Sequence, residues 1–203
     1  EFFIKNKFES ESSTSRIEIV NTFDEFFNSI TKSWFGKQCY DEMLGAGFSK
    51  AMEGEWVGFY LEYLFSNYIF DNKLEEIVKY QQNKKKNDID LDLYFPKFHS
   101  FGDLKSHSMS SSGILGNDLR TIKKLIDNND SVYYIVCNHD TEMDKEHDYV
   151  VTKHWNKLLR KDNELSYGNK MKYRVELKEY YILEINKDNF NYITIYNQGK
   201  NSN

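Results

Sequence analysis

Aspartate and aliphatic residues alternate through residues 88–93, in the order Asp-Ile-Asp-Leu-Asp-Leu. Because successive side chains of a β-strand point to opposite faces, this period of two predicts a strand with one acidic and one apolar face. A second strand is predicted over residues 101–107. Pro96 cannot donate to a sheet ladder, so it marks the end of the first strand or its turn. If the strands form an antiparallel hairpin, carboxylates and an ammonium gather on one side and four apolar residues are buried on the other: Leu91, Leu93, Phe95 and Leu104.

The register of this hairpin decides which aspartate of the first strand faces Asp103. A turn over residues 96–99 places Asp92 opposite Asp103, whereas a tight turn at residues 96–97 places Asp90 there. The proline and the polar residues after it favour the longer turn, so we favour Asp92 and keep Asp90 as the alternative. Converging carboxylates repel each other unless a cation lies between them, and hard oxygen ligands favour Mg²⁺ over Zn²⁺.

The remaining periodicity predicts a helix, three strands, a helix and a strand, in that order. The strongest helix is Glu53–Ile69, which is apolar on most sides and is therefore expected in the core. Leu74–Gln81 is predicted as the first strand, and the hairpin supplies the second and third. Asn117 is predicted to cap a helix over Asp118–Ile126, and Val132–Cys137 is predicted as a buried strand.

Further elements are predicted on both sides of this central set. Thr22–Glu25 has the form of a capping box and predicts a helix through about Trp34 that Gly36 ends. The C-terminal part contains an amphipathic stretch and two strand-like runs: Tyr149–Leu159, Tyr180–Ile185 and Tyr192–Tyr196.

Length and charge limit the class of protein. The 203 residues suit one domain spanning residues 1–203, with no internal repeat or linker. A net charge of −5 excludes a globally basic nucleic-acid binder but allows an acidic metal site beside a local basic cleft. The two cysteines, Cys39 and Cys137, match no metal spacing and suit a reducing cytoplasm, with Cys137 expected as a buried free thiol. We expect no signal peptide or transmembrane segment.

An acid at the end of one strand, followed about ten residues later by Asp103-Leu104-Lys105 on the next, resembles the PD-(D/E)XK nuclease superfamily, to which most type II restriction endonucleases belong. The proline that usually precedes the first acid is absent, since Leu91 or Ile89 stands there. The predicted element order matches the αβββαβ core of that superfamily over roughly residues 53–139. The resemblance implies an α/β fold with a mixed central sheet flanked by helices.

The resemblance also implies a set of site residues for Mg²⁺-dependent hydrolysis of DNA. Gly54-Glu55 looks like the start of the superfamily's first helix, where a Glu points toward the metal. Glu62 shares one helical stripe with Glu55 and is the alternative, as is a helix-start carboxylate that only suits the helix dipole. Lys105 would orient or polarise the attacking water. The implied metal ligands are Asp92 or Asp90, Asp103 and the Leu104 carbonyl, with Glu55 completing the shell.

The same resemblance predicts the partner. A type II restriction enzyme in a bacterial restriction-modification system would act in the cytoplasm on double-stranded DNA, as a homodimer if its site is palindromic, without a nucleotide cofactor or a membrane. Residues 140–203 would supply recognition and dimer elements. The side chains expected nearest the DNA are Ser106, His107, Ser108 and Asn117, against the plainer view that they form an ordinary polar loop.

Two other functions stay open from the sequence. A structure-selective repair or recombination nuclease could use the same core and recognise DNA shape. A non-catalytic DNA-binding or partner-binding domain would leave residues 88–92 as a solvated strand face and pair Lys105 with Asp103.

Overall fold

The computed structural model describes residues 14–81, 91–111, 117, 119–128, 130–161 and 166–192. Within them, the helices are α1 (Thr14–Ser29), α2 (Gly36–Gly45), α3 (Trp56–Asp71), α4 (Leu119–Asp127) and α5 (Val150–Leu159). The strands are β1 (Ser33–Phe35), β2 (Lys79–Tyr80), β3 (Leu93–Phe95), β4 (Ser100–Ser108), β5 (Val132–Met143) and β6 (Lys172–Ile185). In this part of the chain no helix has the length and apolar character needed to cross a bilayer.

The six strands form one mixed sheet in the order β1-β6-β5-β4-β3-β2. Strands β2, β3 and β4 form an antiparallel meander, β4 and β5 are parallel, and β6 pairs antiparallel with both β5 and β1. A parallel pair needs a crossover connection, and α4 lies between β4 and β5 in the chain. The predicted α/β class is confirmed, and the observed order from α3 to β5 is helix, three strands, helix, strand.

The sheet is covered unequally on its two faces. Helices α1, α2 and α3 contribute to a large aromatic core that includes the inward side chains of β3–β6; its members include Phe23, Phe26, Phe27, Trp56, Phe65, Phe95, Tyr133 and Tyr180. The other face carries a smaller cluster, in which Ile122, Leu125 and Ile126 of α4 pack with Val132, Tyr134 and Val136 of β5. Burial of these apolar surfaces is the main stabilising term for a sheet held between helices.

The hairpin adopts the longer of the two turns considered. Residues Pro96–Phe98 form a 3-10 turn, and His99 takes a left-handed conformation with φ of 48°. Leu93 pairs with Gly102, so the next position outward sets Asp92 opposite Asp103. The prediction that favoured Asp92 on register is confirmed, while residues 88 to 90, including Asp90, lie outside the described part.

The four apolar hairpin residues are all buried, but they do not share one face. Leu93, Phe95 and Leu104 join the large core, whereas Leu91 packs with α4 on the opposite side. Leu91 lies before β3, which begins at Leu93. The alternation of side chains between the two faces of a strand therefore does not extend to Leu91.

Two predictions near the N-terminus are wrong. Thr22 does not open a helix, because α1 begins at Thr14 and the Thr22 hydroxyl donates to the Glu18 carbonyl within it (2.9 Å). Gly36 does not end a helix either: it begins α2, directly after β1. Strand β1 pairs with residues 174–176 of β6, a contact too distant in sequence for local patterns to reveal.

Other boundaries also differ from the prediction. Only Lys79–Tyr80 of the predicted strand Leu74–Gln81 pairs in the sheet, since the Ile77 and Val78 amides both donate to the Leu74 carbonyl in a turn. Strand β6 begins eight residues before Tyr180, where it continues alongside β5. The predicted strand Tyr192–Tyr196 lies largely outside the described residues. Helices α3, α4 and α5 lie within a few residues of their predicted positions.

Gly102 is required by the close packing of the hairpin on β5. A Cβ at this position would lie 2.9 Å from Cε2 of the buried Phe95 ring and 3.2 Å from the Tyr133 carbonyl oxygen. Because neither neighbour can move freely, we expect Gly102→Ala to lower the free energy of unfolding by about 1–3 kcal/mol, as measured by urea denaturation. Gly45→Ala is the control, since no described atom lies within 4 Å of its Cβ position. Equal losses in the two variants would contradict this packing account.

Candidate functional site

Asp92 and Asp103 meet where β3 and β4 separate. In the described residues, the ladder between these strands ends at the Leu93–Gly102 pair, whereas the pairing of β4 with β5 begins at Phe101 and continues past Asp103. The Asp92 amide lies 3.4 Å from Oδ1 of Asp103. Asp92 and Asp103 are both buried, with 8% and 2% of their surface exposed, respectively. Asp92 is therefore not part of a solvated strand face.

Lys105 lies beside Asp103 on the same face of β4. Its ammonium forms an ion pair with Oδ2 of Asp103, while Leu104 between them packs into the large core. The alternation of β4 thus presents a carboxylate and an ammonium together, as the sequence predicted. This ion pair is also the contact expected of a purely structural hairpin.

A third carboxylate reaches the site from α3. Glu62 is buried, and its Oε2 accepts from the Lys50 ammonium at 2.7 Å and from the Tyr80 hydroxyl. The same ammonium lies 3.8 Å from Oδ1 of Asp92. Lys50 therefore connects the helix carboxylate with the strand carboxylate.

The structure brings Glu62, and not Glu55, to this site. Glu55 immediately precedes α3, its side chain is 61% exposed, and it pairs with Lys172 of β6 at 3.0 Å. Gly58 lies on the same helical stripe, and a Cβ there would be 3.5 Å from the Ser106 hydroxyl oxygen. The helix thus crosses β4 near Gly58, and the residue one turn further along, Glu62, lies beside the aspartates. The prediction that placed Glu55 at this site is therefore corrected, and Glu62, the alternative, takes its position.

Burial and mutual repulsion make it difficult for all three carboxyl groups to be ionised. Burial, followed by the hydrogen bond and charge of Asp92, raises the pKa of Asp103 to about 7, although Lys105 opposes the shift. Burial and the charge of Asp92 likewise raise the pKa of Glu62, against the effect of Lys50. Burial alone would lower the pKa of Lys50, but Glu62 and Asp92 raise it, so this ammonium keeps its proton.

The donors fit Mg²⁺ in kind. Asp92, Asp103 and Glu62 offer hard oxygen ligands, and a divalent cation would relieve the repulsion that raises the pKa of Asp103. In the described part of the chain, no three Asp, Glu, His or Cys side chains are already grouped as a set that could hold a metal ion. The lysine ammoniums instead neutralise the carboxylates, and a cation bound at Asp92 and Asp103 would have to displace or rearrange the pair between Lys105 and Asp103.

Lys50 and Tyr80 were missed by sequence reasoning. Tyr80 falls in a predicted strand, but nothing in the local pattern marks its hydroxyl as a donor to α3. Lys50 lies in the connection between α2 and α3, where an isolated lysine carries no signal. Their roles depend on how that connection and β2 meet at the edge of the sheet.

The residues expected near DNA do not form a single surface. Ser106 lies against α3, and the Ser108 hydroxyl contacts those of Ser110 (2.8 Å) and Thr141 (3.4 Å). The backbone N–H of Asn117 donates to the Tyr134 hydroxyl at 3.3 Å, on the α4 side of the sheet.

His107 continues the face that carries Asp103 and Lys105. Asn138 donates through Nδ2 to Glu179 (2.9 Å), so its Oδ1 accepts from Nδ1 of His107 (3.1 Å). These two hydrogen bonds together require a hydrogen on Nδ1 of His107. The other ring nitrogen, Nε2, is buried and has no hydrogen-bond partner among the described residues. His107 therefore has a fixed orientation and one nitrogen left for a further contact.

No family model, curated protein or solved structure matches this chain. We therefore infer the function from the chemistry of the site itself.

The raised pKa of Asp103 predicts a pH-dependent stability in the absence of metal. The folded protein holds this proton to a higher pH than the unfolded chain, so the contribution to unfolding free energy falls as pH rises from 3.8 to about 7. We expect Asp103→Asn to gain stability relative to wild type by roughly 1–4 kcal/mol between pH 4 and pH 8. Urea denaturation with a chelator present measures this difference. Asp140→Asn, on an exposed strand face, should follow the wild-type curve. A constant difference between Asp103→Asn and wild type would contradict the shift.

Proposed function

We propose that this protein is a Mg²⁺-dependent endodeoxyribonuclease of the type II restriction class, which hydrolyses phosphodiester bonds in a specific double-stranded DNA sequence. The observation that carries the proposal is the meeting of Asp92 and Asp103 with Lys105 at the point where β3 and β4 separate. Two buried carboxylates and an ammonium on adjoining strands suit a cation beside a phosphate better than they suit a packed core.

The arrangement around this point supports the proposal further. Glu62 adds a carboxylate from the preceding helix, and the order from α3 to β5 is the one expected of a restriction-endonuclease-like core. A hairpin that owed its aspartates to solvation would expose them, whereas Asp92 and Asp103 are buried. Taking a carboxylate out of water costs several kcal/mol, which an ion pair repays only in part, and this favours a functional reason for keeping them.

Each side chain has a defined part in the proposed reaction. Asp92 and Asp103, with the Leu104 carbonyl, would hold Mg²⁺, and Glu62 would complete the set. When bound, Mg²⁺ supplies charge neutralisation at the scissile phosphate and lowers the pKa of a coordinated water. Lys105 would orient the attacking water and stabilise negative charge that develops on the phosphate oxygens.

The proposal extends to partner and compartment. Duplex DNA would lie against the face of β4 that carries Lys105, with His107 near its backbone, and a twofold homodimer would present one centre to each strand of a palindromic sequence. The bacterial cytoplasm is the proposed compartment. Cys39 and Cys137 are both buried and free, which fits a reducing environment.

Digestion of plasmid and phage DNA with Mg²⁺, followed by sequencing of the product ends, tests this function. Discrete fragments with one sequence at every end are expected of a restriction enzyme. Preferential cutting of flaps, forks or junctions would favour a structure-selective repair nuclease instead. Absence of cleavage on all these substrates would favour a non-catalytic DNA-binding domain.

Two glutamates of one helical stripe provide a matched test of the site. Glu62→Gln removes the carboxylate beside Asp92, so we expect the rate of Mg²⁺-dependent cleavage to fall about 100-fold or more. Glu55→Gln removes an exposed carboxylate paired with Lys172 and should change the rate less than twofold. Rates of single-turnover plasmid cleavage give the comparison. A larger loss of cleavage rate in Glu55→Gln than in Glu62→Gln would indicate that Glu55 belongs to the site and would contradict the geometry described.

A further inference from the structure

Lys50 is partly buried, with 29% of its side chain exposed, and both its backbone and its ammonium have defined partners. Its backbone carbonyl accepts from the Glu53 amide (3.1 Å), and Ala51 beside it is buried. The ammonium lies 2.7 Å from Oε2 of Glu62, 3.8 Å from Oδ1 of Asp92 and 5.2 Å from the centre of the Phe59 ring. One positive charge thus lies beside two carboxylates and an aromatic face.

This position differs from an ordinary surface ion pair. Lys178 also lies between two carboxylates, at 3.0 Å from Glu176 and 3.3 Å from Asp140, but those side chains are 45% and 59% exposed. Glu62 and Asp92 have only 8% and 12% of their side-chain surface exposed. Water can solvate the carboxylates around Lys178 if the lysine is removed, whereas those around Lys50 would keep an uncompensated charge.

We propose that Lys50 is a resident cation, whose ammonium occupies a second cation position between Glu62 and Asp92 and thereby limits the centre to one divalent ion. The inference rests on the proposed function only in placing that divalent ion at Asp92 and Asp103. A nuclease with two metals has the positive charge of a second ion beside the first, and the two ions together stabilise the attacking and leaving oxygens. In this protein a covalently attached ammonium supplies that charge, in the place where the helix carboxylate approaches the strands.

The ammonium differs from a metal ion in what it can do there. It neutralises charge and donates hydrogen bonds, but it has no open coordination position and cannot lower the pKa of a bound water as a metal does. Water activation would therefore fall to Lys105 and to an ion held by Asp92 and Asp103. Lys50 acts as a positioning residue, since it contacts Glu62 and Asp92 and not the reacting atoms.

Counting bound Mn²⁺ ions by electron paramagnetic resonance, without DNA, tests the inference independently of cleavage. We expect one ion per wild-type chain and two per Lys50→Met chain, because the vacated position keeps both carboxylates. Lys178→Met removes the same charge from an exposed site and should bind one ion. The double variant Lys50→Met/Glu62→Gln lacks a carboxylate of the second position and should return to one ion.

Thermal denaturation of the same proteins gives a second readout that does not require the metal-free variant to be fully folded. Mn²⁺ should raise the Tm of Lys50→Met more than that of wild type or Lys178→Met, since only the first gains an ion that compensates buried charge.

The outcomes separate this inference from the proposed function. Equal ion numbers and equal Tm shifts in wild type and Lys50→Met would overturn the role of Lys50 and leave the nuclease proposal standing. An ion bound by Lys50→Met alone would support the resident cation but contradict Mg²⁺ dependence of the wild-type protein. Failure of both proteins to bind any ion would overturn both ideas.

Discussion

The early parting of β3 from β4 is the constraint on which the site depends. The ladder ends at Leu93 and Gly102, so the next pair of residues, Asp92 and Asp103, is adjacent without a strand-to-strand hydrogen bond between their backbones, and the Asp92 amide turns to the Asp103 carboxylate instead. In strands that stayed paired, these side chains would stand roughly perpendicular to the sheet as an ordinary cross-strand pair. Strands that parted earlier would separate them. Gly102, the β4 residue of the last pair, lies close to Phe95 and to β5.

Charge balance follows from that constraint. Three buried carboxylates face two ammoniums and one tyrosine hydroxyl, so the cluster of Glu62, Asp92, Asp103, Lys50 and Lys105 carries a formal excess of one negative charge. Burial raises the pKa of Asp103 toward neutrality because this excess has little solvent to relieve it. A bound cation and a neighbouring phosphate would together restore balance, which connects the electrostatics of the site to the proposed chemistry.

The sequence was informative where the signal was local. Alternation along the hairpin and a turn opened by Pro96 favoured Asp92 over Asp90 as the residue opposite Asp103 and placed Lys105 beside Asp103. The choice between Glu55 and Glu62 could not be made this way, because both share one stripe of α3 and only the crossing of that helix over β4, near Gly58, selects between them.

The residues that escaped prediction all depend on distant contacts. Lys50 joins the site through a connection whose sequence shows only turns, and β1 forms because a segment some 140 residues later offers it a partner. Thr22 matched a capping pattern, yet it lies inside α1, where its hydroxyl bonds to the preceding turn. In each case, tertiary packing against distant parts of the chain overrides the local sequence preference.

Lys105→Ala, assayed for both binding and cleavage of duplex DNA, tests the central claim most directly. Lys105 contacts Asp103 at the surface of the site and is only partly buried, so its truncation leaves the core intact. The account predicts that the variant keeps its affinity for DNA in Ca²⁺ within a few-fold and loses Mg²⁺-dependent cleavage. Cleavage by Lys105→Ala at the wild-type rate would contradict the account.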